Sequence, residues 1–144
     1  MKPPWLLVVE DEESDALILR EALAAAKGCS SCRLEVAATS AAGLELLRKS
    51  VAAGAPPALV LLDLRLPGES GFKFLERLRA DPALPLLPVI VLTTSRSHTD
   101  VREAYARGAN AFVVKPSGFD DCVRLVESLL GFWLGHALLP TRVD

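Results

Sequence analysis

The chain has 144 residues, of which 51% are hydrophobic and 24% charged, with a formal net charge of −2. It is too apolar for disorder, long enough to bury a core without disulfides or a structural metal, and too short for a receptor, a multidomain enzyme or a long repeat array. No run of Lys and Arg forms a basic patch, so no general affinity for nucleic acid is expected. The longest aliphatic runs, such as Ala58–Leu62, fall far short of a membrane span.

The first apolar run, Trp5–Val9, reads as a strand. It meets Glu10-Asp11-Glu12-Glu13, which no signal peptide would tolerate. With no export signal and three cysteines, a cytoplasmic protein with reduced thiols is expected. A helical pattern covers 14–27, with Gly28 placed as its C′ residue. Leu34–Ala38, interrupted by Glu35, reads as an edge strand, and Ser40 is expected to cap a helix carrying Leu44, Leu47 and Val51. Leu59–Leu62 is the third strand. Gly71–Arg79 forms a helix around Phe74, Leu75 and Leu78 that stops before Asp81-Pro82. Val89–Leu92 is the fourth strand. Ser97-His98-Thr99-Asp100 has the S-x-x-D form of a capping box and opens a helix with Val101, Ala104 and Tyr105 that ends at Gly108. Ala111–Val114 is the fifth strand. A last helix runs from about 118 to 134, and a tail follows over 135–144.

Uninterrupted apolar runs of this length are strands covered on both faces, hence a parallel sheet. The order is (βα)5, and right-handed crossovers wind such a chain into an open, doubly wound α/β sheet. One domain is expected over 1–144, with its core at about 5–134.

In an open α/β sheet the site lies beyond the carboxyl ends of the strands. Glu10-Asp11, Asp63, Thr93-Thr94 and Lys115-Pro116 all fall there. Taken singly, each has an ordinary explanation: acids favoured at a helix N-terminus, a strand-end hydroxyl, a solvated loop lysine. Together, three carboxylates at close range repel unless a cation joins them, and hard oxygen ligands on a shallow rim suit Mg²⁺. Such acids can hold Mg²⁺ for a bound phosphate ester. Alternatively, one of them attacks phosphorus and becomes an acyl phosphate, whose charge a metal ion, an ammonium and a hydroxyl would offset.

Four stretches carry a resemblance: Leu7-Val8-Val9-Glu10-Asp11, Leu61-Leu62-Asp63-Leu64-Arg65-Leu66-Pro67-Gly68-Glu69-Ser70-Gly71, Pro88-Val89-Ile90-Val91-Leu92-Thr93-Thr94 and Gly108-Ala109-Asn110-Ala111-Phe112-Val113-Val114-Lys115-Pro116. With them the chain resembles the receiver domains of two-component response regulators. The resemblance implies a flavodoxin-like sheet in the order 2-1-3-4-5. It implies that Asp63 accepts a phosphoryl group from a sensor histidine kinase. Asp11, Asp63 and the backbone carbonyl of Arg65 would bind Mg²⁺, with Glu10 helping through a water. Thr93 would be the switch hydroxyl, Lys115 the ammonium and Phe112 the switch aromatic, and the Lys115-Pro116 bond would be cis. Glu10 stands where Asp is commoner, Arg65 where Asn or Met is frequent, and Phe112 where Tyr is frequent. Arg65 is expected to shield an acyl phosphate or to pair with Glu69, and Ser95 is the other residue expected to flank the path of hydrolytic water. The 81–88 loop and the ending Phe132-Trp133-Leu134 resemble the stand-alone regulators paired with bacterial phytochrome kinases, implying such a kinase as partner.

Other functions fit less well. A phosphatase with an Asp nucleophile wants a second acid two residues on, where this chain has Arg65. A nucleotide or flavin site wants a Gly-rich first loop, where this chain has acids. A degenerate receiver that acts as a phosphorylation-independent binding module is the alternative to a phospho-switch. Cys29-Ser30-Ser31-Cys32 has no second pair to complete a zinc site and follows a helix rather than opening one, against a redox role. The last helix has an apolar arc of roughly 200°, in which Leu125 and Phe132 widen a stripe containing Leu129 and Trp133. Either the tail 135–139 folds over that excess, or it forms a homodimer interface on the fourth helix, fifth strand and fifth helix, with Leu125 and Phe132 as exposed anchors.

Overall fold

The computed structural model describes residues 3–29 and 31–141. Ser30 of the CxxC stretch and the end of the expected tail, 142–144, lie outside the described residues. Five strands alternate with five helices: β1 (Trp5–Val9), α1 (Glu13–Ala25), β2 (Arg33–Ala37), α2 (Ser40–Ala52), β3 (Leu59–Leu62), α3 (Gly71–Ala80), β4 (Val89–Thr93), α4 (His98–Ala106), β5 (Ala111–Val114) and α5 (Phe119–Trp133). All pairings are parallel, and the sheet order is β2-β1-β3-β4-β5, as expected from the sequence.

The sheet divides the apolar residues by alternation. Leu7, Val9, Val60, Leu62, Val89 and Val91 face one side, where Leu44 and Leu47 of α2 and Phe74, Leu75 and Leu78 of α3 cover them. Leu6, Val8, Leu59, Leu61, Ile90 and Leu92 face the other, under Leu19, Ala22 and Leu23 of α1 and Cys122, Val126 and Leu130 of α5. Every residue of β1, β3 and β4 is therefore buried, which is why these runs contain no polar residue before their last position. The edge strands differ. β2 exposes Arg33 and Glu35, and β5 is half-buried throughout.

Several local expectations are corrected. Thr39, not Ser40, caps α2: its Oγ1 accepts the Ala42 N–H at 3.0 Å, while Ser40 is the buried first helical residue. Two adjacent hydroxyls both suit an N-cap, and the extended backbone falls on the first. Helix α1 ends at Ala25, so Gly28, with φ of 79°, lies beyond the C′ position. The capping box of α4 is half made. Ser97 accepts the Asp100 N–H at 3.4 Å, but the Asp100 carboxylate takes the Ser95 hydroxyl at 2.6 Å. Among the described residues no helix is long and apolar enough to cross a membrane.

Candidate functional site

Parallel strands end on one rim, and register sets the level of each side chain there. Val9 pairs with Leu62 and Thr93 with Val114. Glu10 and Asp63 are thus level just past β1 and β3, with the Asp63 N–H bonded to the Val9 carbonyl at 3.0 Å. Lys115 follows β5, its N–H bonded to the Thr93 carbonyl at 2.8 Å. Since β4 lies between β5 and β3, Lys115 must reach over about 10 Å of sheet to meet Asp63, a distance that suits a four-carbon stem and an ammonium.

The Lys115 ammonium meets Glu10 Oε1 at 2.5 Å, Asp15 Oδ2 at 2.7 Å and Asp63 Oδ2 at 2.8 Å. Its side chain is only 14% exposed, and those of Glu10 and Asp63 are 3% and 8% exposed. Burial alone would lower the lysine's pKa, but the three carboxylates outweigh it and hold the pKa above the ordinary value, so the ammonium stays charged. Burial would likewise raise the Asp63 carboxyl. The Lys115 ammonium and the Arg65 backbone N–H, 3.1 Å from Asp63 Oδ1, reverse that and keep its pKa below the usual carboxylate range. Glu10 goes the other way. Burial, aided by the neighbouring Asp63 charge and opposed by Lys115, pushes it up to about 7.

One oxygen each from Glu10, Asp11 and Asp63 lies within 4.8 Å of the other two. These hard donors, in a crowded anionic site, fit a divalent cation. They form the one such cluster of His, Cys, Asp or Glu among the described residues. Thr93 is fully buried at the end of β4, its Oγ1 receiving only a long contact, 3.5 Å, from the Ser95 N–H. Ser95 is turned toward α4 by Asp100.

Beyond the Arg65 backbone N–H on Asp63, the other expected features lie apart from the carboxylates. Phe112 is half-buried in β5 and packs on the α2–α3 side of the core, and its backbone N–H donates to the Tyr105 hydroxyl at 3.2 Å. Arg65 is exposed and does not pair with Glu69, which is taken by Arg77. The Lys115-Pro116 bond is trans, not cis; trans is the favoured isomer at X-Pro by about 0.5–1 kcal/mol, and the ammonium reaches its partners from it. On α5, Phe132 is 54% exposed and stacks edge-on against half-buried Trp133. Leu125 and Leu129 are half-buried against the core, so Leu125 is not an open anchor. The tail does turn back: the His136 and Ala137 N–H groups both bond the Phe132 carbonyl, and Leu139 is buried, yet Phe132 stays open. Asp15 was not foreseen. The available signal was its spacing, four residues after Asp11 and in the first turn of α1, which aims it back at the rim.

Residues 6–127 match the sequence profile of the response regulator receiver domain. Over 96% of the chain, the sequence is 37% identical to a probable methanogenesis regulatory protein, FilR2, of Methanothrix harundinacea (88% of that protein covered). Over the same share it is 31% identical to the response regulator Rcp1 of Synechocystis (94% covered). The fold superimposes on the phosphorylated cyanobacterial phytochrome response regulator RcpA with a TM-score of 0.85 at 29% identity, covering 95% of this chain and 98% of that one. It superimposes on RPA3017, a response regulator in red light signalling of R. palustris, with a TM-score of 0.85 at 37% identity and the same coverage. Rcp1 has also been solved in a Mn²⁺-bound form, which matches with a TM-score of 0.81 at 31% identity, covering 96% of this chain and 99% of that one.

Proposed function

The chain belongs to the response regulator receiver family, and from that premise we propose that Asp63 is its phosphoacceptor. The observation that carries this is the Lys115 ammonium 2.8 Å from Asp63 Oδ2, in a site whose acids also fit a divalent cation. An Asp63 oxygen attacks the phosphorus of a kinase phosphohistidine, the P–N bond breaks, and an acyl phosphate forms. Lys115 holds an N–H toward the incoming oxygens. Thr93 turns its loosely engaged hydroxyl to the new group, and Phe112 follows on β5. Asp11, Asp63 and the Arg65 carbonyl would hold Mg²⁺, with Glu10 acting through a water. Mg²⁺ supplies charge neutralisation at the phosphoryl group when bound.

A receiver is a signalling protein rather than a classical enzyme, and its partner class is the sensor histidine kinase. The likeness to Rcp1 and RcpA supports a phytochrome-type kinase. Exposed Phe132 and Tyr105 support a homodimer through the α4–β5–α5 face, with Leu125, Leu129 and Trp133 packed behind it. A cytoplasmic location, with neither membrane nor nucleic acid as partner, completes the proposal. A degenerate receiver is not favoured, because Asp63, Thr93 and Lys115 are all in place.

The test is intact mass after incubation with acetyl phosphate. One phosphoryl group should be gained with Mg²⁺ and none with chelator. A wild-type protein that gains none with Mg²⁺, or gains it equally with chelator, would contradict the proposal.

A further inference from the structure

Lys115 has three N–H donors, and carboxylates of Glu10, Asp15 and Asp63 stand at 2.5, 2.7 and 2.8 Å. The first and third belong to the cluster that fits a cation; Asp15 does not. Asp15 reaches the ammonium from α1, and its side chain is 37% exposed against 3% and 8% for the other two. A cation held by Glu10 and Asp63 would weaken two of the three bonds on Lys115 and leave the Asp15 bond. A lysine stem spread over the end of β4 has four rotatable bonds, and without a fixed partner its ammonium visits several rotamers. The pair borders an apolar wall: Leu19, Leu92 and Cys122 line a cavity of about 40 Å³ with Asp15 and Lys115.

We propose that Asp15 is a positioning residue, holding the Lys115 ammonium beside Asp63 from the first turn of α1 so that it is in place for phosphoryl transfer. This rests on the reading of Asp63 as phosphoacceptor. Asp15 acts through Lys115 and touches neither the attacking oxygen nor the cation cluster.

The experiment is a mutant cycle on the full chain, with acetyl phosphate and Mg²⁺ and the phosphorylation rate read by intact mass. Asp15→Ala should slow uptake about 10-fold, less than the roughly 100-fold that a 1 Å misplacement can cost, because the ammonium is loosened rather than removed. Asp15→Asn, whose amide oxygen still accepts an N–H, should slow it less. In a Lys115→Ala background, Asp15→Ala should cause no further slowing. A rate equal to wild type, or equal slowing in both backgrounds, would overturn the proposal, the latter by marking a merely structural effect. An NMR readout needs no phosphoryl transfer. With Mg²⁺ present to engage Glu10 and Asp63, the wild type should show a slowly exchanging Lys115 ammonium signal that is lost in Asp15→Ala and retained in Asp15→Asn, and its persistence in Asp15→Ala would refute the tether. A wild type that takes up no phosphoryl group would instead overturn the Asp63 reading and this role with it.

Discussion

Replacing Gly71 with alanine should weaken the fold directly beneath the site. A Cβ there would lie 2.3 Å from the Asp63 carbonyl oxygen, 2.8 Å from Leu64 Cα and 3.1 Å from the Asp63 carbonyl carbon. Relaxed carbon–oxygen contacts run at about 3.3–3.6 Å, so the start of α3 and the end of β3 must part by roughly 1 Å. Neither side yields easily. Asp63 is bonded through its N–H to Val9, and the Gly71 N–H is bonded to the Leu64 carbonyl at 2.9 Å. The helix beyond is pinned by buried Phe74, Leu75 and Leu78. Overpacking costs about 1–3 kcal/mol, and with backbone rather than side chain on the receiving side we expect about 2–3 kcal/mol. At about 2–4 °C per kcal/mol for a chain of this size, Tm should fall by about 4–12 °C. Urea unfolding followed by circular dichroism measures the loss. Gly131→Ala is the control: nothing lies within 4 Å of its Cβ position in α5, so it should stabilise by about 0.5–1 kcal/mol. A Gly71→Ala stability within about 0.5 kcal/mol of wild type, the range of an indifferent surface change, would refute the close-approach argument.

Thr93→Ala should accept phosphate from acetyl phosphate at close to the wild-type rate, whereas Lys115→Ala should slow uptake about 100-fold, as for loss of a preorganised charge partner; equal losses would contradict the division of roles. Phe132→Asp should weaken self-association about 100-fold or more, as for a hot-spot residue, without unfolding the chain, and light scattering showing the wild type already monomeric at high concentration would rule the dimer out. Cys29 and Cys122 are buried, and burial raises both thiol pKa values, so at neutral pH less thiolate forms and iodoacetamide should label them more slowly than Cys32 in the native protein. Labelling of Cys122 as fast as Cys32 would mean that α5 does not pack as described.

What the sequence disclosed follows from what is periodic or ordered in it. The continuous runs Leu59–Leu62 and Val89–Leu92 read as doubly covered strands because both faces of β3 and β4 are buried, and Glu35 marked β2 as an edge. The meeting of Asp63 with Lys115 was legible because parallel strands finish on one rim. Asp15 was not, because acids in a first helical turn are ordinarily explained by the helix dipole alone, and only the reach of Lys115 across β4 brings this one inside. Of the two residues that widen the apolar arc of α5, Leu125 leans on the core and Phe132 does not; the wheel could not tell them apart, because that depends on where the helix sits on the sheet. The Thr39 and Ser40 hydroxyls were similarly indistinguishable until the backbone turned at the first.

The measurement closest to the central claim is mapping of the phosphoryl group. Wild-type protein and Asp63→Asn, which keeps the side chain's shape, are incubated with acetyl phosphate and Mg²⁺, treated with borohydride, which reduces an acyl phosphate to the alcohol and releases phosphate, and digested to locate the reduced residue by peptide mass. The modification should fall on the peptide containing Asp63 in the wild type and be absent from the variant, with unchanged circular dichroism. A modification that persists in Asp63→Asn, or maps to Glu10, Asp11 or Asp15 in the wild type, would contradict the account.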